Sequence, residues 1–375
     1  MSRARKRILF TSYCMAMGGI ENMIVDFVRH VPRDEFEPHV AVFESGGSLE
    51  RVLEAGRVPV HRLNKREGID FGLVFRLRQL IRTQEIDVIH SHNYSAWLYA
   101  CLAARMTSNV IHVHTEHSEV DRSWRRYFAE RWLSRFTTSV VAVSRHVHGV
   151  MTQDIGIDPH RVRLVYNGVD TSRFSPGAER RASTRQGLGL SPDQVAIGIV
   201  ARLARIKNHE TLLRAYAPLC QEPGNRTRLV IVGDGPERAA LEQLAHDLGI
   251  TNRVTFLGER HDIPDLLNAF DIYALTSFNE GMNLTLLEAM SAALPVVATA
   301  VGGNVEIVEE GVTGYLVPSA DIGCLTERMR YLVNSPEVRA PMGQKARARV
   351  LQFFDLQAMM RDYLALYRGV DKGAT

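Results

Sequence analysis

Short runs of β-branched residues alternate with helical stretches along almost the whole chain of 375 residues. In the first half, this pattern predicts strands at Arg7–Tyr13, His39–Glu44, Asp87–Ser91, Asn109–Thr115, Ser139–Ser144 and Arg163–Tyr166. Helical patterns, such as those at Phe71–Thr83 and Ala96–Met106, lie between them. Because parallel strands need long crossover connections, which are usually helices, this alternation predicts parallel sheets with right-handed crossovers.

The alternation stops once and then starts again. Residues 167–191 are rich in Gly, Pro, Ser and charge, which indicates a linker followed by a short helix. Beyond it, the predicted strands are QVAIGIV, RLVIVGDG, RVTFLGE, DIYALTS, PVVATAV and TGYLVP, with helices at Glu210–Gln221 and Glu237–Leu248. The sequence therefore predicts two doubly wound, Rossmann-like α/β domains, residues 1–180 and 181–354. Residues 355–375 contain a last helix, expected to pack back on the first domain.

Composition excludes several classes of protein. A net charge of +3 is too small to indicate nucleic-acid binding. Cys14, Cys101, Cys220 and Cys324 are far apart and form no CxxC pair, which is typical of a reduced, cytoplasmic chain. The start, MSRARKRILF, lacks the long apolar core of a signal peptide, and no apolar run approaches the ~18 residues of a membrane span. We therefore expect a cytoplasmic protein.

Three loops have the chemistry of anion sites. In open α/β sheets, ligands bind beyond the carboxyl ends of the strands. The glycine pairs Gly18-Gly19 and Gly302-Gly303 each precede a predicted helix, and such pairs allow a phosphate to approach the backbone. Arg202 and Lys207 flank a loop after the strand QVAIGIV and together suit a diphosphate. The alternatives are tight turns and solvated cations, but three such loops together favour an anionic ligand.

The stretch EGMNLTLLE places two acids, Glu280 and Glu288, around a predicted helix. Eight residues of helical rise separate them by about 12 Å. The two carboxyl groups of a glycosidase lie roughly 5–10 Å apart, so these two are not expected to act as one acid/base pair. They fit opposite ends of an elongated ligand instead, one binding hydroxyls and the other a ribose. The alternative is two ordinary surface glutamates.

The ordered set EGMNLTLLEAM, ARLARIK, VGDGPER, VGGNVE and VYNGVD resembles the retaining glycosyltransferases of family 4, bacterial polysaccharide and glycolipid enzymes among them. These enzymes have the GT-B fold, in which two Rossmann-like domains enclose a cleft. The resemblance implies a nucleotide-sugar donor held mainly by residues 181–354 and an acceptor held by residues 1–180. It implies no cofactor and no required metal.

The resemblance also assigns roles to residues. Arg202 and Lys207 would neutralise the donor diphosphate, Glu280 would contact the transferred sugar, and Glu288 would bind the ribose. Gly18 and Gly19 would close over the phosphates, with Asn167–Asp170 as the hinge about which donor binding closes the domains. The full set of implied donor contacts is Gly18, Gly19, Arg202, Lys207, Glu280, Gly281, Met282, Asn283, Leu284, Glu288, Gly302 and Gly303. Asn283 departs from the pattern, since family members often have glycine there.

The stretch IHVHTEHS supplies a histidine candidate. Family members carry a histidine at this loop, which by resemblance is His117 and would touch the transferred sugar; His114 is the competing register. The neighbouring histidines, His90, His92 and His112, raise the alternative of a metal site. Their spacing matches no known ligand pattern and the chain contains no DxD motif, so we predict no metal.

The stretch DRSWRRYFAERWLSRF, Asp121–Phe136, mixes arginines with aromatic residues. This composition is typical of a helix that lies on an anionic membrane surface. The predicted contacts with the inner membrane surface are Trp124, Arg125, Arg126, Arg131 and Trp132. The alternative is an amphipathic helix packed on its own domain.

These features predict a retaining hexosyltransferase, cytoplasmic or peripheral on the inner face of the cytoplasmic membrane. Its catalytic groups would be Glu280, His117, Arg202 and Lys207. We expect a UDP-sugar donor, with GDP-mannose next, a glycan or lipid-linked acceptor, and no nucleic-acid partner. The pathway would be that of an exopolysaccharide, lipopolysaccharide or glycolipid. The alternatives are a sugar-nucleotide epimerase and a catalytically silent nucleotide-sugar-binding partner. A nicotinamide-dependent oxidoreductase is disfavoured, since neither CMAMGGIE nor GDGPER fits G-x-G-x-x-G.

Overall fold

A computed structural model describes residues 5–16, 18–117 and 123–369. The chain divides into two compact units. The first unit runs to Tyr166 and includes the chain again from Met359, and the second unit is Asn167–Ala358.

The first unit is built on one parallel sheet. Its strands are β1 (Lys6–Ser12), β2 (Phe36–Val42), β3 (Val60–Arg62), β4 (Val88–His92), β5 (Ile111–Glu116), β6 (Ser139–Ala142) and β7 (Val162–Leu164). The helices between them are α1 (Gly19–His30), α2 (Ser48–Ala55), α3 (Phe71–Thr83), α4 (Asn93–Arg105), α5 (Trp124–Ser134) and α6 (Arg145–Gly149), the last followed by a π-helical turn at Val150–Asp154. The strand order is β3-β2-β1-β4-β5-β6-β7, so the direction of winding reverses between β1 and β4.

The second unit repeats this plan. Its strands are β8 (Val195–Val200), β9 (Thr227–Val232), β10 (Val254–Phe256), β11 (Ile272–Leu275), β12 (Val296–Thr299) and β13 (Gly314–Val317). Its helices are α7 (Ala178–Gly187), α8 (His209–Cys220), α9 (Arg238–Asp247), α10 (Ile263–Ala269), α11 (Leu284–Ser291), α12 (Asn304–Ile307), α13 (Ile322–Asn334) and α14 (Pro336–Phe353). The parallel order β10-β9-β8-β11-β12-β13 reverses between β8 and β11.

The central strands β1 and β8 each have an apolar, buried middle. In β1, Ile8, Leu9 and Phe10 are fully buried, and in β8 Ile197 and Ile199 are too. Such continuous apolar runs are typical of strands covered by helices on both faces of a parallel sheet. In β1 the polar residues Thr11 and Ser12 come at the carboxyl end of the strand, which is where an open α/β sheet binds ligands.

The last helix, α15 (Leu356–Arg368), supplies part of the core of the first unit. The ring of Tyr363 lies 4.8 Å from that of Phe27 in α1, measured between centroids. The hydroxyl of Tyr367 lies 2.7 Å from His90 Nδ1 in β4. Both tyrosines are fully buried, so from Met359 onward this helix packs in the first unit.

The first unit ends earlier than the boundary at residue 180 that composition indicated. The segment after Tyr166 is tied to the second unit by its own hydrogen bonds. The Val169 N–H donates to Phe354 O at 2.9 Å, and the Gly177 N–H donates to Asn268 Oδ1 at 2.6 Å. A segment rich in Gly, Pro and Ser is therefore part of a folded unit here, and not a free linker.

The pattern of residues predicted most elements. The helix at Phe71–Thr83 has the predicted bounds, and the last helix, expected within residues 355–375, is Leu356–Arg368. β2 begins at Phe36, three residues before the predicted start. β3 has only three residues, too few to show a period-two pattern, and it was not predicted.

Candidate functional site

Three loops of the second unit meet at the reversal between β8 and β11. They follow β8, β11 and the adjacent β12, so they lie at the same edge of the parallel sheet. The Phe278 N–H donates to Ile206 O at 2.8 Å, and Thr276 Oγ1 donates to Asn208 O at 2.9 Å. These bonds join the loop that contains Lys207 to the loop that contains Glu280.

Glu280 is the centre of this edge. It is buried, and its Oε1 accepts hydrogen bonds from Lys207 Nζ at 2.6 Å, Ser277 Oγ at 2.6 Å and Asn283 Nδ2 at 2.9 Å. A buried carboxylate is costly unless it is paired and hydrogen-bonded, and these three donors meet that requirement. The carboxylate is therefore held in one orientation.

The two cations of the β8 loop differ in their surroundings. Lys207 ends a 3-10 turn, Arg205–Lys207, and forms the ion pair with Glu280. An ammonium has three N–H donors, so this pair leaves Lys207 with donors for a ligand. Arg202 is exposed, and among the described residues its side chain has no hydrogen bond or ion pair. Two cations thus remain able to bind an anion at this edge.

The structure gives Asn283 two roles that the glycine often found at this position in the family that the sequence resembles could not have. It is the N-cap of α11, where its Oδ1 accepts from the Leu286 N–H at 2.7 Å and from Thr285 Oγ1 at 2.9 Å. Its Nδ2 donates to Glu280 Oε1. The side chain therefore begins the helix and orients Glu280 at the same time, which a glycine could not do.

Gly302 and Gly303 pack against the backbone of the Glu280 loop. Gly302 has φ +49, and a Cβ there would lie 1.6 Å from Glu280 O; a Cβ on Gly303 would lie 2.1 Å from Gly281 O. The Gly303 N–H also donates to Glu280 O at 3.2 Å. The following helix, α12, has only four residues, so it offers a weak dipole to a phosphate. Close backbone packing thus accounts for this glycine pair, and its phosphate contact stays a prediction.

The remaining predicted donor contacts of the second unit surround Glu280. Met282 is buried, and its carbonyl accepts from Asn167 Nδ2 at 3.3 Å. Leu284 and Glu288 lie in the first turns of α11. Burial raises the pKa of Tyr273 in β11, and the charges of Glu288 and Glu280 raise it further. The structure therefore places both acids within electrostatic reach of one buried phenol.

In the first unit, Gly18 and Gly19 lie at the carboxyl end of β1, beside the reversal between β1 and β4. Gly18 is the N-cap of α1 and has extended backbone, φ −161 and ψ 169. A Cβ on Gly18 would lie 2.3 Å from Glu21 Oε2, and burial raises the pKa of Glu21. Gly18 therefore makes room for a partly buried carboxyl group at the start of α1.

His117 lies directly after β5 and is buried. Its Nε2 is 2.9 Å from His92 Nδ1, a hydrogen bond in which one ring donates and the other accepts. Burial, followed by the charge of His114, lowers the pKa of His117 to about 3, and burial lowers the pKa of His92 well below its ordinary value. Both rings are therefore neutral at pH 7, and His117 is held in place by a second histidine.

His114, the competing candidate, lies inside β5 and is fully buried. Its ring stacks on Trp97 of α4, with 4.0 Å between centroids, and its Nδ1 is 3.1 Å from Ser91 Oγ. Burial lowers its pKa well below the ordinary value. His114 is thus a core histidine, which leaves His117 as the histidine at the end of the strand.

The remaining histidines of this cluster also form hydrogen bonds. His90 is hydrogen-bonded to Tyr367 and Thr115, and His112 Nε2 lies 2.9 Å from Ser91 Oγ. Within residues 5–16, 18–117 and 123–369, no group of three or more His, Cys, Asp or Glu is arranged to hold a metal.

Comparison with known proteins assigns the family. The family model described as "Glycosyltransferase Family 4" matches residues 17–173, and the one described as "Glycosyl transferases group 1" matches residues 180–349. The D-inositol 3-phosphate glycosyltransferase of Saccharomonospora viridis is 32% identical over 371 residues, which cover 91% of this chain and 81% of the relative. The chain belongs to glycosyltransferase family 4.

Other relatives of this glycosyltransferase also match most of the chain. The UDP-Gal:alpha-D-GlcNAc-diphosphoundecaprenol alpha-1,3-galactosyltransferase of Escherichia coli is 26% identical over 354 residues, or 91% of each chain. The crystal structure of Anabaena HepE in complex with UDP and glucose superposes with a TM-score of 0.86 at 25% identity, covering 97% of this chain and all of that one. WaaG, with a TM-score of 0.77 at 18% identity, shares the fold. The two parallel-sheet units are thus the two Rossmann-like domains of the GT-B fold.

In helix α5 of this glycosyltransferase, not all of the side chains predicted to contact a membrane are exposed. The first two residues of the predicted segment, Asp121 and Arg122, lie outside the described residues. Trp124, Arg125, Arg131 and Trp132 are exposed as expected, but the inclusion of Arg126 was wrong. Its side chain is mostly buried, because it pairs with Glu130 at 2.5 Å and lies over the Tyr94 ring at 4.9 Å. In the described residues, no helix has the length and apolarity needed to cross a bilayer.

The contacts of two residues of the candidate site were not predicted from the sequence: Ser277 was not considered, and His92 was considered only as a possible metal ligand. Ser277 donates to Glu280 Oε1, and His92 is hydrogen-bonded to His117. Each is a polar residue at the carboxyl end of a buried strand run, a position that predicts a site residue in a parallel sheet. Their partners, however, depend on the folds of loops that sequence spacing does not specify.

Proposed function

We propose that this glycosyltransferase transfers a hexose from a UDP-sugar to an acceptor hydroxyl with retention of the anomeric configuration. The observation that carries the proposal is the buried Glu280–Lys207 pair at the reversal of the second sheet, oriented by Ser277 and Asn283. A carboxylate with fixed orientation accepts hydrogen bonds from sugar hydroxyls, and the ammonium beside it favours a phosphate. HepE was solved with UDP-glucose, which supports a UDP-sugar; GDP-mannose is the second candidate.

The cations stabilise the leaving group. When the bond from the sugar to the diphosphate breaks, negative charge develops on the diphosphate oxygen. Lys207 and the exposed Arg202 lie on one loop of the β8 edge and would neutralise this charge, a type of stabilisation that contributes about a hundredfold or more per group. The acceptor hydroxyl loses a proton as its oxygen bonds to the sugar carbon, and the departing diphosphate can take that proton. We assign no protein nucleophile.

Other contacts belong to the same proposal. Glu288 on α11 would bind the ribose hydroxyls, and Gly281, Met282 and Leu284 would line the donor. Gly18, Gly19 and His117 would be the contacts from the first unit. No metal or cofactor takes part in the proposed reaction.

The acceptor is a glycan or a lipid-linked glycan of a bacterial exopolysaccharide, lipopolysaccharide or glycolipid. The name of the Escherichia coli relative, which acts on a diphosphoundecaprenol-linked sugar, supports a lipid-linked acceptor. The protein would then work in the cytoplasm at the inner face of the cytoplasmic membrane. Helix α5, with Trp124, Arg125, Arg131 and Trp132 exposed, is the proposed contact with that surface.

The alternative functions gain no support. The relatives named above are glycosyltransferases, and an epimerase is not among them. A silent partner would have lost charged groups of the site, yet Glu280, Glu288, Arg202 and Lys207 are all present.

The test is release of UDP in the presence of UDP-sugars and lipid-linked acceptors. Lys207→Ala should lower turnover at saturating donor by about a hundredfold or more. The matched control is Arg205→Ala, which removes an exposed cation from the same 3-10 turn and should leave turnover unchanged. Equal turnover of the two variants would remove Lys207 from the mechanism.

A further inference from the structure

The five most exposed large hydrophobic side chains of the described residues all belong to the first unit. They are Ile69 at 76%, Phe71 at 75%, Trp124 at 74%, Phe128 at 71% and Phe75 at 59% exposed. Single exposed hydrophobic residues are ordinary, but clusters of large ones mark contact surfaces. We define the α3 patch as Ile69, Phe71 and Phe75, and the α5 patch as Trp124 and Phe128.

Each patch lies at the start of a helix, apart from that helix's buried face. In α3, Phe71 and Phe75 are four residues apart and share one side, whereas Leu73, Leu77 and Leu80 are buried against α4. In α5, Trp124 and Phe128 share one side in the same way, whereas Leu133 is fully buried. The exposed aromatic residues are therefore a second apolar face, which the core of the unit does not use.

Helix α4 fixes both patches at the same edge of the sheet. The Asp70 N–H, just before α3, donates to Tyr99 Oη at 3.1 Å, and Asp70 Oδ1 accepts from the Leu73 N–H. At the start of α5, Arg126 lies over the ring of Tyr94, on the first turn of α4. Since α3, α4 and α5 follow β3, β4 and β5, their N-termini lie at the carboxyl edge of one parallel sheet. The two patches are thus held in a fixed arrangement on either side of α4.

Among the described residues, the charges around the patches are mainly positive; Glu119 and Asp121, which precede α5, lie outside the described residues. The only acid in α5, Glu130, is buried and paired with Arg126, whereas Arg125, Arg131 and the following Arg135 are exposed. Helix α3 contains no acid and three arginines; Arg76 is paired with the N-cap Asp70 at 2.6 Å, which leaves the positive charges of Arg78 and Arg82. The loop before it has Lys65 and Arg66 beside a single exposed acid, Glu67. Exposed aromatic residues flanked by arginines fit the interface of an anionic bilayer.

We propose that the α3 patch and the α5 patch insert together into the headgroup region of a bilayer that contains anionic phospholipid. The proposed function includes a membrane contact through α5 alone, and this proposal adds α3 as a second contact. It rests on the proposed function only for the benefit of membrane binding, which would bring the enzyme to a lipid-linked acceptor. Two separate aromatic patches suit a deformable planar surface, because each side chain can reach the interface without a complementary groove. Two points of insertion also fix the orientation of the first unit on the membrane, which one helix does not.

The test is co-flotation of the full-length chain with vesicles, in the absence of any nucleotide sugar. The vesicles are phosphatidylcholine alone or phosphatidylcholine with 30 mol% phosphatidylglycerol, in roughly 0.1 M salt. Wild-type protein should bind the anionic vesicles and bind the neutral ones at least tenfold more weakly. Phe71→Gln with Phe75→Gln, and separately Trp124→Gln with Phe128→Gln, should each lower binding about tenfold or more.

The matched control is Leu351→Gln with Phe353→Gln, which removes two exposed apolar side chains from α14 of the second unit and should leave binding unchanged. Circular dichroism of each variant separates loss of binding from loss of fold. Loss of binding in the α5 variant alone would overturn the role of the α3 patch. Absence of vesicle binding, with self-association that the patch variants abolish, would identify a second copy of the chain as the partner and overturn the proposal. Because no donor is present, these results do not depend on whether the enzyme uses a UDP-sugar.

Discussion

Replacement of Asn283 by aspartate tests whether this side chain orients Glu280, the carboxylate proposed to bind the sugar. Asn283→Asp keeps the oxygen that caps α11 but removes the Nδ2 donor that Glu280 Oε1 accepts at 2.9 Å. It also places a second carboxylate against the first in a buried site. A hydrogen bond to a charged group contributes about 1.5–3 kcal/mol, and about 1.4 kcal/mol corresponds to a tenfold change in affinity.

We therefore expect Asn283→Asp to weaken binding of the UDP-sugar about tenfold or more. Binding of UDP alone should change by less than about twofold, because the contacts proposed for the diphosphate and the ribose do not involve this amide. Isothermal titration calorimetry with UDP and with the UDP-sugar measures the two affinities on the same protein. The selectivity of the loss is what distinguishes orientation of Glu280 from a general disturbance of the site.

The control is Asp321→Asn, which makes the reverse exchange at the N-cap of α13, where Asp321 Oδ1 accepts from the Cys324 N–H. It should leave both affinities unchanged. If Asn283→Asp weakens UDP and the UDP-sugar equally, the variant has damaged the loop and not the sugar contact. If it weakens neither, Asn283 serves only as a helix cap and the reasoning fails.

Three further predictions concern the glycines and histidines. Gly302→Ala should lower the melting temperature and weaken nucleotide-sugar binding, because the new Cβ would clash with the backbone of the Glu280 loop. The control, Gly311→Ala, is also at positive φ but has open space around it, so it should lower the melting temperature and leave binding unchanged. Equal binding by the two variants would contradict the packing argument. His92 Nε2 is buried without a hydrogen-bond partner among the described residues, which suits a bare nitrogen better than an N–H, so we infer that His92 Nδ1–H donates to His117 Nε2. His92→Asn keeps a donor near Nδ1 and should retain turnover that His92→Leu loses, and ¹⁵N NMR of the wild type should show His117 protonated at Nδ1; the opposite tautomer would refute this direction of the hydrogen bond. Burial lowers the pKa of His112 and of His117 to about 3, so below pH 6.5 the unfolded chain binds protons that the folded chain does not. Stability should fall from pH 6.5 toward pH 3, on the order of 1 kcal/mol per pH unit for each ring. Urea unfolding at pH 7.5 and 5.5 measures this fall, and equal midpoints would contradict it.

The fold was predictable because both sheets depend on a pattern that repeats. Runs such as VAIGIV and LVIV are apolar throughout, and helical stretches of ten or more residues separate them. This pattern favours a parallel sheet with helices on both faces, because that arrangement buries the apolar strands. The limits of the units were less predictable. The segment after Tyr166 has the composition of a linker, but its backbone groups bond to Phe354 and Asn268, partners far away in the sequence.

The site was predictable in its residues more than in its contacts. The loops that contain Lys207, Glu280 and Gly302 could be placed at strand ends from the sequence alone. The ion pair between Lys207 and Glu280 joins residues 73 positions apart, and no local spacing specifies it. Arg126 shows the reverse error: a composition typical of a membrane surface suggested an outward side chain, but the buried Glu130 four residues later pairs with it.

The central claim is that the Glu280–Lys207 edge of the second unit binds a nucleoside diphosphate sugar. The most direct test is thermal unfolding of the wild type and of Lys207→Ala with saturating UDP, GDP, ADP or NAD. A ligand at 100 times its dissociation constant adds about 2.7 kcal/mol to the free energy of unfolding, which raises the melting temperature measurably. We expect UDP alone to raise the melting temperature of the wild type, and to raise that of Lys207→Ala much less. A rise with NAD alone, or an equal rise with UDP in both proteins, would contradict the claim.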